Sequence, residues 1–181
     1  MEEKIHNLDL VEETVLDCLA KRDNYAIFGG FAAKILVDVA HSNDIDIFVN
    51  DPGGVVEICK DLESKNGWRM TKDEYISNLH LTVMERNGFT SDIINGSSTG
   101  VLFIQTRRKI NYEHWRLNVV DPAHLLLSKI LQLSYSAQQN DKRQRDIIVV
   151  ERLRSIVTPN AVEKALKTFS PYTWLATSTW L

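Results

Sequence analysis

The chain has 181 residues, of which 44% are hydrophobic and 25% charged, a globular balance that excludes a disordered or low-complexity protein. Its formal net charge of −3 gives no global attraction to nucleic acid, so any contact with a polyanion must come from a local basic patch. No apolar run approaches the roughly 20 residues that span a bilayer, and the acidic start Met1-Glu2-Glu3-Lys4 is not followed by an apolar segment of signal-peptide type, so a soluble, cytoplasmic protein without a membrane partner is expected.

In chain order, Leu8, Val11, Val15, Cys18 and Leu19 fall at helical spacing and predict a first amphipathic helix over 8–21. Tyr25 to Phe28 is a short apolar strand ended by Gly29-Gly30, and Phe31 to Val39 reads as a second helix. Residues 44–49 alternate in the strand period. Asp51-Pro52-Gly53-Gly54 is a turn, followed by a third helix from Val55 to Ser64 that Asn66-Gly67 stops. Trp68 to Met70, Leu79 to Glu85 and Phe89 to Ile94 read as strands, the last two joined by Asn87-Gly88, a type I′ hairpin signal because both central residues need positive φ. Val101 to Gln105 and Trp115 to Val120 are expected to form a second hairpin around a basic connection. The periodicity then becomes helical. Asp121 as N-cap and Pro122 as first residue open a helix to about Tyr135, and further helices are expected from Asp141 to Ile156 and from Asn160 to Phe169. The expectation is therefore an α/β core over 1–120 and a helical subdomain over 121–181.

Three features point to chemistry. Gly29-Gly30 stands between a strand and a helix, where glycine lets backbone approach a phosphate and the helix N-terminus offers N–H donors; a plain tight turn has the same look. Asp44-Ile45-Asp46 lies in a strand, where residues i and i+2 share a face, so both carboxylates project together. Two like charges so close repel, and divalent cations remove the conflict, because hard oxygen ligands suit Mg²⁺ and a pair of metals steadies both oxygens of a phosphoryl displacement. An isolated pair of this kind also fits a solvated edge strand. Asp92, in Thr90-Ser91-Asp92-Ile93-Ile94, is an acid inside a strand, where aspartate is disfavoured; a surface carboxylate beside the hairpin is the alternative.

Taken together, strand, Gly-Gly, helix, Asp-x-Asp on the next strand and a later lone strand Asp resemble the signature of the DNA polymerase β-like nucleotidyltransferases over residues 24–95. The resemblance implies an α/β nucleotidyltransferase fold with a mixed sheet, flanking helices and a small C-terminal helical bundle. It implies that Gly29 and Gly30 contact the triphosphate of an NTP substrate, that Asp44, Asp46 and Asp92 bind Mg²⁺ or Mn²⁺, and that Asp92 helps to activate the attacking hydroxyl. The reaction implied is transfer of a nucleoside monophosphate to an acceptor hydroxyl of RNA, protein or a small molecule. A catalytically inactive nucleotide- or partner-binding module of the same fold is the second reading.

The stretch from Asp121-Pro122-Ala123-His124 to Ser128-Lys129, with Lys142-Arg143-Gln144-Arg145-Asp146, is similar to the helical part of minimal and abortive-infection-type toxin nucleotidyltransferases. That similarity implies that Lys129 faces the nucleotide, that Asp146 orients Lys129 or the acceptor, and that an antitoxin or other protein partner is conceivable; a lysine snorkelling from a core helix is the plain alternative. Arg107, Arg108, Lys109 and Arg116, with Tyr112 and Trp115 interleaved, suit either an RNA-contacting loop or a solvated connection, and Lys142, Arg143 and Arg145 are open to the same two readings. His6, His41, His80, His114 and His124 share no ligand spacing and are assigned to no metal. Cys18 and Cys59 are expected as buried, reduced thiols, and the tail from Tyr172 to Leu181, with Trp174 and Trp180, as packing for the helical half or another subunit.

Overall fold

A computed structural model describes residues 2–39, 42–65, 67–77, 79–134 and 140–169, with only the backbone described over 2–9. The tail from Tyr172 onward, Tyr135, Asn66, His41 and the side chains of His6 and Leu8 lie outside the described residues.

The elements run α1 (Glu2–Leu19), β1 (Tyr25–Phe28), α2 (Gly29–Val37), β2 (Asp44–Val49), α3 (Pro52–Glu63), β3 (Arg69–Ile76), β4 (Leu79–Arg86), β5 (Phe89–Asn95), α4 (Ser98–Thr106), β6 (Arg108–Tyr112), β7 (Trp115–Val119), α5 (Pro122–Ser134), α6 (Asn140–Ile156) and α7 (Pro159–Thr168). The strands form one seven-stranded sheet in the order β3-β4-β5-β2-β1-β7-β6. It is mixed, with β2–β5 and β1–β7 parallel and the remaining neighbours antiparallel. The Asn87-Gly88 turn has φ of 54° and 79°, as a two-residue hairpin loop between right-twisted strands requires.

One expected strand is a helix. Val101 to Gln105 lies inside α4, because the Ser97 hydroxyl accepts from Gly100 N at 3.3 Å and caps the segment. A short apolar run is ambiguous in period, and here the helix buries Phe103 and Ile104 while Gly100 gives the Phe48 ring room. The hairpin partner of β7 is instead β6, in register from Arg108↔Val119 to Tyr112↔Trp115, so the basic residues 108 and 109 are in a strand rather than a connection.

The core runs through both halves of the sequence. Val15, Leu16, Ile27, Ile45, Ile47 and Ile93 share one apolar cluster with Leu125, Leu126 and Ile130 of α5 and Val149, Val150 and Leu153 of α6. Among the described residues Ala123, Leu127 and Ala165 form a separate small cluster, which seats α7 on α5. The helices α5 and α6 are thus held over the sheet by the main core, and Lys129 of α5 and Asp146 of α6 are buried along with their apolar neighbours. Both cysteines are buried free thiols, each pushed up to about 11 by burial.

Candidate active site

Three adjacent strands bring the acids and the glycine turn together. Asp46 is in register with Phe28 of β1 on one side and with Asp92 of β5 on the other, and Asp44 with Thr90. Side chains alternate along a strand, so Ile45 and Ile47 enter the core while Asp44, Asp46 and their cross-strand neighbour Asp92 share the other face. Gly29 follows Phe28 with φ of 68°, in the left-handed region. A Cβ on Gly29 would fall inside the Asp46 carboxylate, so the glycine is what lets Asp46 sit against the turn. A Cβ on Gly30 would meet Ser42 Oγ at 2.7 Å, and that hydroxyl donates to Asp44 Oδ1.

These residues line a cavity of about 570 Å³ whose other wall is helical. From α5 come Lys129 and Gln132, and from α6 Lys142, Arg145, Asp146 and Val149. Lys129 Nζ donates to Asp146 Oδ1 at 2.8 Å, and the two side chains are only 7% and 6% exposed. Residues 142, 145, 146 and 149 fall at helical spacing on one face of α6, which is why Arg143 turns elsewhere and donates to Leu133 O at 2.9 Å, tying α6 to the end of α5.

The electrostatics are strained in a specific way. Asp46 is raised to about 7, by burial first and then by Asp44 and Asp92, with Lys129 and Lys142 opposing the shift. Asp92 is also raised, first by burial and then by Asp44, with a hydrogen bond from Thr90 opposing. Its Oδ1 is enclosed with no partner. Crowded, desolvated carboxylates and an unpartnered oxygen are what a divalent cation with oxygen ligands would relieve. Among the described residues no three ligating side chains converge on one point, so gathering the aspartates about a cation requires their side chains to turn inward.

The sequence-derived candidates Gly29, Gly30, Asp44, Asp46, Asp92 and Lys129 all line this one cavity, as does Asp146. Ser42 and Gln132 line it too and carried no signal in the sequence, since a lone serine or glutamine has none; the stripe 142, 145, 146, 149 was readable from spacing. The basic segment is elsewhere. Arg107 donates to Ile104 O, Arg108 pairs with Asp121 at 2.6 Å and Lys109 with Asp23 at 2.7 Å, and Trp115 Nε1 donates to Asp17 at 2.8 Å. His80 meets Asp73 at 2.6 Å, and His124 lies between Asp121 and Thr168.

No protein-family model and no curated protein sequence matches the chain. Solved structures do resemble it. The antibiotic-resistance factor ANT(2″)-Ia superposes with a TM-score of 0.66 at 12% identity, over 97% of this chain and 98% of that one; the same factor has been solved in complex with adenylyl-2″-tobramycin, at a TM-score of 0.65 and 11% identity, over 97% and 99% of the two chains. MenT4, a nucleotidyltransferase toxin from Mycobacterium tuberculosis, gives 0.61 at 13% identity, over 91% of this chain but 64% of its own length. An antigenic nucleotidyltransferase-like protein from Paracoccidioides brasiliensis gives 0.54 at 17% identity, over 94% and 93%. The mixed sheet with its flanking helices is thus the nucleotidyltransferase fold, as the sequence resemblance implies. No helix among the described residues is long and apolar enough to cross a membrane.

Proposed function

We propose that the chain is a metal-dependent nucleotidyltransferase that moves a nucleoside monophosphate from an NTP to an acceptor hydroxyl and releases pyrophosphate. One observation carries this reading: Asp46 stands in register with Asp92 on a parallel neighbour and with the residue before Gly29 on the antiparallel one, so acids and glycine turn meet in a single cavity. Asp44, Asp46 and Asp92 would hold Mg²⁺ or Mn²⁺, which when bound supplies positive charge to the phosphoryl oxygens.

The chain's own residues do the rest. The Gly29-Gly30 turn and the start of α2 receive the phosphates through backbone N–H groups. Lys129, steadied by Asp146, sets a cation where charge grows on the transferring phosphate. Asp92, whose carboxyl is raised, accepts the proton of the incoming hydroxyl. Positioning and electrostatics supply most of the rate, as in phosphoryl transfer generally.

The test is a melting assay with NTPs in the presence and absence of Mn²⁺, followed by pyrophosphate release and transfer of label from NTP to total RNA, lysate proteins or an aminoglycoside. Mn²⁺-dependent stabilisation with labelling of one acceptor class supports the reading. Stabilisation without pyrophosphate release identifies a binding module, and no stabilisation at all overturns the nucleotide site. The toxin reading, with an antitoxin as partner, takes its support from the likeness to MenT4; growth arrest on expression in a bacterium, lost in Asp44→Asn, is its test.

A further inference from the structure

Two oxygens on the helical wall are left without partners by the roles given above. Asp146 Oδ1 accepts from Lys129 at 2.8 Å, but its Oδ2 is enclosed and unpartnered, as is Oε1 of Gln132. Both residues line the cavity. Their placement follows from how the helices run: Lys129 of α5 meets Asp146 of α6, and Arg143 reaches back to Leu133 O, so α5 and α6 lie antiparallel and Gln132 falls within about a turn of the Lys129–Asp146 pair. Two acceptors without donors thus stand on the same helical wall of the cavity as the lysine.

Buried acceptors are nearly always satisfied, and one left bare in the free protein is poised for a ligand that brings the proton. Phosphate oxygens bring none, and against a carboxylate oxygen they would be repelled. A ligand satisfying both sites must present two neighbouring donors. On a nucleoside triphosphate the group that fits is the cis-diol of the ribose. The apolar lining offered to the base is slight, since Phe28 and Val149 are the apolar side chains among the cavity residues, so the cavity is built to hold the polar part of the nucleotide more firmly than its base.

Resting on the nucleotidyltransferase reading, we infer that Gln132, together with the free oxygen of Asp146, reads the ribose hydroxyls, making the protein selective for ribonucleotides over deoxyribonucleotides and tolerant of the base. Gln132 is a specificity-determining residue in this assignment, and Asp146 serves both the lysine and the sugar.

The experiment measures binding of ATP, 2′-deoxy-ATP and 3′-deoxy-ATP, each with Mn²⁺, to the full chain and to Gln132→Leu, which keeps the volume of the stem and removes the amide. At least one deoxy analogue is expected to bind about 10-fold more weakly than ATP to the wild type, as loss of one hydrogen bond to a buried partner predicts. In Gln132→Leu the ratio of ATP to the analogue lacking the hydroxyl that Gln132 reads approaches one while any preference supplied by Asp146 is kept, and replacing ATP by GTP, CTP or UTP changes affinity less than deleting the hydroxyl. Equal wild-type affinity for all three adenine nucleotides overturns the inference, because the Gln132 amide would then have turned its Nε2 onto Asp146. Wild-type ratios that persist for both analogues in Gln132→Leu also overturn it. Failure of every nucleotide to bind is a different result, one that removes the nucleotidyltransferase reading itself. A melting curve of Gln132→Leu without ligand confirms that the variant is folded.

Discussion

Along β6, Arg108 meets Asp121 at 2.6 Å and Lys109 meets Asp23 at 2.7 Å, whereas in the cavity Asp44, Asp46 and Asp92 share one face of two strands and the cations Lys129, Lys142 and Arg145 stand on the helices. The acids answer to those settings. Lys109 holds Asp23 below the usual carboxylate range; burial pushes Asp121 up, but His124, the Ala123 N–H and Arg108 together outweigh it and hold it low. Asp46 and Asp92 are raised. At the sheet edge opposite charges are paired in a way that serves the fold, while in the cavity like charges are crowded in a way that opposes it. The difference separates charge used for structure from charge that, on the proposed function, is retained for a ligand, and it yields predictions of opposite sign.

The sharpest way to break the comparison is Asp46→Asn. Nucleotide transfer should fall by about a thousandfold or more, equivalent to about 4 kcal/mol of transition-state stabilisation at 1.36 kcal/mol per decade. The melting temperature of the metal-free protein should hold or rise at pH 8, because a buried like charge has been removed. A variant that lost stability first, with activity falling only in proportion, would make Asp46 a structural residue like those of β6. Next in size is Lys129→Met. It strands Asp146, which is 4% exposed, and breaking a buried pair from one side costs about 3–5 kcal/mol in chemical denaturation. Adding Asp146→Leu should restore most of the stability and none of the transfer. If the single variant were as stable as the wild type, the pair would not be a buried one in solution.

Much of this site was legible in the sequence because it is made of short-range patterns. Two acids two residues apart in a strand share a face whatever the rest of the chain does, and Gly29-Gly30 marks a strand-to-helix turn. The Asp46–Asp92 register depends on β2 pairing with β5 across a long insertion, which spacing alone leaves open; there the family resemblance supplied the link. The failures are equally physical. Val101 to Gln105 has no period, and its helix is decided by the Ser97 cap and by Gly100 lying against Phe48. The basic residues Arg108 and Lys109 were ambiguous because their partners, Asp121 and Asp23, are set across a hairpin or remote in sequence. Ser42 and Gln132 entered the site only through tertiary placement.

The third effect is pH-dependent. Asp46 has a folded value of about 7 against an ordinary 3.8, so its protonated form is favoured by folding. The stability it contributes is complete below about pH 4 and is lost as the pH rises through about 7. The metal-free wild type should therefore lose on the order of a few kcal/mol between pH 4 and 7 relative to Asp46→Asn, whose curve lacks this slope. Mn²⁺ should flatten the wild-type curve near pH 7, where a cation takes the place of the proton. Parallel curves for the two proteins would mean that Asp46 is solvated and ionised throughout.

The smallest effect is expected at the other end of the comparison, in Arg108→Ala. Arg108 is 58% exposed, so its pair with Asp121 is worth at most about 1 kcal/mol. Asp121 also keeps the Ala123 N–H at 2.9 Å and His124 at 3.4 Å after the arginine is gone, which leaves its carboxylate partnered. The sign with pH is the reverse of that for Asp46. A depressed carboxylate stabilises the fold above its ordinary pKa, and that contribution disappears as the pH falls through the folded value. The difference between Arg108→Ala and wild type should thus be visible near neutrality and vanish in acid. Nucleotide affinity and transfer should stay within about twofold, because β6 lies at the sheet edge and none of its residues lines the cavity. A larger loss of transfer with one acceptor, at unchanged stability, would show that this strand contacts the acceptor and that its charges are not structural after all.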